Sequence, residues 1–167
     1  SMRPEEWTDL RFVWLQRGIY EEKFEITDLE IRDARQISED QYEYYSDEYR
    51  PLKKDDMYFT PDGTAFIRGH VQIPAHMKGK NIYFTLHTAA EMIVKINGKY
   101  VGGVDPNRER ILLNPYIDSD DLTIQIEAYN RSKPDDERNP ASLAHRGCRQ
   151  IFEGAYLSTI RDNVQSL

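Results

Sequence analysis

Histidine, cysteine and paired carboxylates are the side chains with which this chain could ligate a metal, move a proton or break a bond. Their spacing supports none of these outright. His70, His76, His87 and His145 form neither an HxH nor an HExxH spacing, so no histidine-based metal site is expected. His145-x-x-Cys148 is half of a zinc spacing, and no second Cys/His pair completes it. Cys148, the single cysteine, has no base near it in sequence to activate a thiolate. His70 and His87 fall on the polar parity of strand-like segments, the ordinary place for a surface histidine. Asp and Glu total 29, yet nothing singles out two of them as an acid–base pair. Gly102-Gly103 matches neither a dinucleotide-binding nor a phosphate-binding loop. No cofactor is expected in this chain.

The elements that would have to position any site are β-strands. Glu91–Leu113 is the clearest stretch: Met92, Val94 and Ile96 alternate with polar residues until Asn97-Gly98 interrupts. Asn-Gly between alternating runs predicts a type I′ hairpin, because both turn residues need positive φ. That turn sets Ile96 opposite Lys99, Lys95 opposite Tyr100 and Val94 opposite Val101. Gly102-Gly103 is then a place for the strand to bend or bulge. Ala65, Ile67, Gly69, Val71 and Ile73 share one face of a strand ended by Pro74. Ile82, Phe84 and Leu86 mark another, Arg110–Leu113 a short one, and Leu122, Ile124, Ile126 and Ala128 a long one. Gly154–Ile160 reads as a closing strand. Phe24 and Ile26 lie on one parity and Leu29 and Ile31 on the other, so Lys23–Arg35 reads as one strand bulged near Thr27-Asp28.

Three stretches lack a clear period. Residues 2–22 read as an irregular N-terminal segment. Residues 37–56 read as an acidic, Tyr-rich excursion, either packing its tyrosines on the body of the domain or forming an aromatic platform for a sugar ring. Arg131–Gln150 is a long loop carrying Pro134 and Asn139-Pro140. Short strands separated by turn signals, with no intervening helices, give an all-β fold, a jelly-roll β-sandwich with long irregular loops, as one domain over 2–165; its Asn97-Gly98-Lys99 turn resembles those of galactose-binding-domain-like jelly rolls.

Composition narrows the function classes. The 167 residues suffice for one domain with a core, and eleven Tyr, six Phe and two Trp supply buriable surface despite 31% charged residues. A net charge of −7 argues against general nucleic-acid binding. No apolar run approaches the roughly 18 residues of a membrane span. Ser1-Met2 reads as a leftover protease-site serine before an initiator, and Arg-Pro-Glu-Glu after it has no signal-peptide character. With one cysteine, a reducing, cytoplasmic setting is expected.

The ordered string from Asp62 to Leu113, DGTAFIRGHVQIPAHMKGKNIYFTLHTAAEMIVKINGKYVGGVDPNRERILL, resembles the N-terminal β-sandwich of the zinc-dependent α-mannosidases, family 38 of the glycoside hydrolases. The matching pieces are Val71–Pro74, Leu86–Glu91, Val94–Lys99, Gly103–Arg108 and Ile111–Leu113. Tyr49–Leu52 fits more loosely, Ile126-Glu127-Ala128 resembles the strand that closes the sandwich, and Ala155-Tyr156-Leu157 resembles the exit towards the catalytic domain. The resemblance implies a non-catalytic accessory domain of an α-mannosidase, inactive alone, packed on a catalytic domain of the same polypeptide and bordering its substrate cleft. The zinc ligands of that family belong to the later domain, and no position of this chain matches them. On this reading Asp105, Asn107 and Arg108 are the candidate interdomain or substrate-bordering residues, in a polar loop after a Gly-Gly that lets backbone approach another surface. Alternatively, Asp105 and Asn107 simply make the turn. Lys95 and Tyr100 are second-tier candidates. A carbohydrate-binding jelly roll of another glycoside hydrolase, taking mannose-containing or other glycan at loop tips and an exposed aromatic, is the alternative function, and a free-standing enzyme the third.

Overall fold

The computed structural model describes residues 11–14, 19–58, 63–88, 90–129 and 150–162. Two antiparallel sheets face each other. The first runs in the order β1 (Arg11–Trp14), β2 (Ile19–Glu25), β14 (Ala155–Asp162), β8 (Tyr83–Leu86), β11 (Arg110–Leu112). The second has seven strands: β10 (Lys99–Val104), β9 (Glu91–Ile96), β12 (Asp121–Tyr129), β7 (Thr64–Gln72), β3 (Asp28–Ser38) and β4 (Gln41–Tyr44), with β5 (Arg50–Pro51) also paired to β3. A two-stranded ribbon joins β6 (Met57–Tyr58) to β13 (Gln150–Ile151). The fold is the all-β, jelly-roll-like sandwich expected.

Alternation builds the core. On β12, Leu122, Ile124, Ile126 and Ala128 point inward; on β7, Ala65, Ile67 and Val71 do. The register sets Ile126 beside Ile67 on one neighbour and Val94 on the other. These meet Phe84, Leu86, Ile111, Ala155 and Leu157 of the first sheet in one continuous cluster. Each large aliphatic side chain buried there contributes about 1.5–3 kcal/mol. Gly69 shares the inward parity because nothing larger fits: a Cβ would stand 2.1 Å from the Asp28 carbonyl oxygen and 2.6 Å from the Leu29 side chain.

The hairpin turn forms as expected, with Asn97 at φ 50° and Gly98 at φ 79°. Its register departs from expectation. Lys99 pairs Ile96 and Tyr100 pairs Lys95, but Val94 lies opposite Gly102, because a bulge falls between Tyr100 and Gly102. Val101 is the extra residue, so it buries its side chain without facing Val94 directly. The bend was expected at Gly102-Gly103, and it begins one residue earlier.

Other expectations are corrected. Lys23–Arg35 is not one bulged strand: the chain leaves the first sheet at Glu25 and enters the second at Asp28, and the parity switch marks that crossing. Ile26 is anchored there by donating its amide to the Ala155 carbonyl at 2.8 Å. Strand β1 and the start of β2 fall within the stretch read as irregular, and the Tyr-rich excursion supplies β4 and β5. Residues 2–10 and 163–165, and the loop expectation over 131–149 with His145 and Cys148, lie outside the described residues.

Candidate functional site

The exit of the hairpin was the first site expected. Asp105 accepts hydrogen bonds on Oδ1 from the amides of Asn107 at 2.7 Å and Arg108 at 2.9 Å, while Asp105 and Arg108 exchange backbone bonds at 3.0 Å. The carboxylate is thus committed to its own turn, as the turn-making alternative holds. Asn107 and Arg108 stand exposed at the tip.

Lys95 and Tyr100 belong to a larger surface. Across the outer face of the seven-stranded sheet runs a row set by register: Tyr100, Lys95, Gln125, Arg68, Glu30. Beside it runs a second: Gly103, Ile93, Glu127, Phe66, Arg32. A pocket of about 250 Å³ opens over these rows, lined by Tyr49, Arg68, Ile93, Lys95, Gln125 and Glu127 among others. Tyr100 continues the row at its edge, 61% exposed.

Contacts from the Tyr-rich segment fix the walls. The Tyr42 ring meets Phe66 edge-on at 5.0 Å, and Tyr44 meets it at 5.7 Å. Arg32 lies over Tyr44 at 3.5 Å and Arg68 over Tyr49 at 3.7 Å. Arg68 Nε also donates to Glu30 at 2.9 Å, so its guanidinium is held from two sides. Tyr42 donates its hydroxyl to Glu127 Oε1 at 2.7 Å. Burial, then the bond to Glu127, pushes the Tyr42 phenol up; burial, then bonds to Tyr42 and Glu127, pushes Tyr129 up strongly. Arg50, next to Tyr49 on β5, ties that strand to the buried Asp33 at 2.8 Å.

The outer face of the five-stranded sheet carries different chemistry. His87 bonds Glu109 through Nδ1 and lies 3.3 Å from Glu153 through Nε2. These border a pocket of about 280 Å³ with Lys23, Lys54, Thr85 and Tyr156. Lys23 sits 5.1 Å from the Tyr156 ring centroid, and burial leads the causes that push that phenol up. Thr85 and Ser158 share a buried hydroxyl–hydroxyl bond of 2.6 Å beneath. Among the described residues, no group of three or more His, Cys, Asp or Glu side chains is arranged to hold a metal ion. The residues described therefore do not fit a zinc centre.

No family model and no curated protein matches the chain. Solved structures do resemble it. A calcium-binding mutant of β-glucuronidase 2 from Bacteroides uniformis matches 83% of this chain at 17% identity, with a TM-score of 0.52. A rhamnosidase from Novosphingobium sp. PP1Y matches 84% at 14% identity, with a TM-score of 0.51. The likeness is one of fold. The matched region spans 18% and 15% of those two chains.

Sequence reasoning placed Lys95 and Tyr100 correctly on the non-core face and missed the pocket beside them. Phe66, Arg68, Gln125 and Glu127 were legible as outward-facing, but their neighbourhood depends on strand order, which alternation does not encode. The Tyr-rich run was the one available signal. Nothing in the sequence joins His87 to Glu109 and Glu153, which come from separate segments.

Proposed function

We propose that this chain is a non-catalytic accessory β-sandwich of a larger glycoside hydrolase, packing on a catalytic module of the same polypeptide. The observation that carries this reading is the breadth of the fold likeness: more than four fifths of the chain corresponds to less than a fifth of two glycosidase chains. A domain in that proportion leaves the bond-breaking machinery to the rest of the enzyme. The exposed Asn107 and Arg108, on a turn stiffened by Asp105, are the docking contacts favoured here. The parent's finer identity as an α-mannosidase, with zinc in its catalytic module, is supported by the Asp62–Leu113 string; the names of the two structural neighbours do not point to mannose. A cytoplasmic setting goes with the single cysteine.

Hydrolysis of aryl glycosides tests the reading. The purified chain alone is expected to release no aryl alcohol from α-mannoside, β-glucuronide or α-rhamnoside substrates. A polypeptide that joins it to its catalytic module is expected to hydrolyse one of them, and to lose activity when the sandwich is removed. Turnover by the chain alone, proportional to its concentration through repeated purification, would contradict the proposal. Hydrolysis of the mannoside in particular would establish the finer identity; preference for another sugar would remove it.

A further inference from the structure

The pocket on the outer face of the seven-stranded sheet has features that a merely solvated sheet surface does not need. Cross-strand pairs are ordinary on such a face, but here several of them converge on one depression. Here Arg68 is held by Glu30 on one side and by the Tyr49 ring on the other. Glu127 is held by the Tyr42 hydroxyl, whose ring rests against Phe66. The strand carrying Arg50, next to Tyr49, is clamped to buried Asp33. Planar donors and acceptors are therefore locked around a depression that also presents Ile93, 37% exposed, and Tyr49 as apolar surface.

The same geometry narrows the occupant. The pocket lies over interior strands β9, β12 and β7, whose backbone groups are already paired on both sides, so an added peptide strand finds no free ladder. An amphipathic helix needs a continuous apolar groove, whereas Arg68, Lys95, Gln125 and Glu127 interrupt this one. The Arg68 charge is already met by Glu30, so the guanidinium is not held ready for a phosphate. What fits is a compact ring with one apolar face and several hydroxyls, sized to a cavity of about 250 Å³.

We propose that this sheet-face pocket, formed by Tyr49, Arg68, Ile93, Lys95, Gln125 and Glu127, is a binding site for one neutral pyranose unit of a glycan. Ile93 takes the C–H face of the ring, Tyr49, stacked on Arg68, walls it at the side, and the Gln125 amide, the Lys95 ammonium and the outer Arg68 and Glu127 atoms take its hydroxyls. The site is on a sheet face, not at the loop tips where an exposed aromatic was first sought. The proposal rests on the accessory-domain reading in taking the polyol to be a sugar, but it needs no catalytic partner. Sugar binding without an adjoining hydrolase would sink that reading and leave this one standing; docking on a hydrolase without sugar binding would do the reverse.

Calorimetric titration of the full chain with methyl α-mannoside and methyl β-glucoside tests the site, with open-chain sorbitol as a polyol that lacks the ring. Saturable binding of at least one glycoside is expected, with sorbitol much weaker. Gln125→Ala, an exposed position that leaves the core intact, is expected to weaken it roughly tenfold, consistent with one lost hydrogen bond. His87→Gln, on the opposite face, is expected to leave it unchanged. No saturable binding up to the solubility limit of both sugars would overturn the proposal. So would equal affinity for sorbitol, or affinity indifferent to Gln125→Ala in a variant whose thermal unfolding matches the parent chain.

Discussion

Among the described residues, each sheet buries one carboxylate and ties it to one half-exposed arginine, and the two solutions differ. On the seven-stranded sheet Arg50 meets Asp33 at 2.8 Å; on the five-stranded sheet Arg110 meets Glu21 at 3.4 Å. Among the described residues, each leaves a buried carboxylate oxygen without a partner, Asp33 Oδ1 and Glu21 Oε1. The outer faces differ in the same sense. One is held by guanidinium–aromatic stacking and a phenol–carboxylate bond. The other centres on His87 between Glu109 and Glu153, contacts that are ion pairs only while the imidazole carries its proton. A surface of fixed charge and fixed rotamers suits recognition of a shape. The stacked and mutually bonded side chains of the seven-stranded face have that character, and the difference teaches where on this sandwich to test for a ligand.

The arginines give the largest expected effects. Removing the charge from Arg50 (Arg50→Met) leaves Asp33, 7% exposed at its side chain, without its counter-ion, and is expected to lower the unfolding free energy by about 2–3 kcal/mol, below the fully buried range because Arg50 is half-exposed. Arg110→Met, with its longer contact, is expected to cost about 1 kcal/mol. Urea unfolding of both variants measures the gap, and equal losses would break the comparison.

Phe66→Ala comes next. It removes the ring on which Tyr42 and Tyr44 rest, and at a half-buried site about 2 kcal/mol is expected, less than for a fully buried Phe. The same variant should release the Tyr42–Glu127 bond, visible as loss of phenol protection in tyrosine titration.

Alkaline pH gives a smaller, graded effect. The phenols of Tyr42, Tyr129 and Tyr156 are all raised above 10.0, so the folded state holds these protons more tightly than the unfolded one. Their contribution is fully present below about pH 10 and is lost as pH rises towards the folded-state values. Because two of the three lie on the seven-stranded sheet, Tyr42→Phe with Tyr129→Phe is expected to flatten the fall in thermal midpoint above pH 10 more than Tyr156→Phe does.

His87→Gln is expected to change stability least, by about 0.5 kcal/mol or less near neutral pH, because the imidazole is 63% exposed and its ion pairs are solvent-screened. A larger loss would mean that the five-stranded face is locked as firmly as the other.

Much of this fold was legible in the sequence, for physical reasons. Alternation on β7, β9 and β12 named the inward residues correctly because each strand has one dry face, and Asn97-Gly98 named the turn because few other residues tolerate its dihedrals. Hidden was what depends on contacts distant in sequence. The crossing between sheets at Ile26-Thr27 looks like a bulge, since both reverse parity. The bulge at Val101 changes a register that turn geometry alone sets differently. Tyr42 on β4, Phe66 on β7 and Glu127 on β12 form one cluster only because β12, β7, β3 and β4 follow one another across the sheet. The turn at Asp105 was legible in both its forms, and the structure favours the local one.

The most direct test of the proposed sheet-face site is a heteronuclear NMR titration of the isotope-labelled chain with methyl α-mannoside and methyl β-glucoside. The expected result is saturable shifts clustered at the amides of Ile93, Lys95, Gln125 and Glu127, with the Asp105–Arg108 turn and the surroundings of His87 unmoved. Shifts centred on that turn, or on His87, Glu109 and Glu153, would contradict the assignment of recognition to the seven-stranded face.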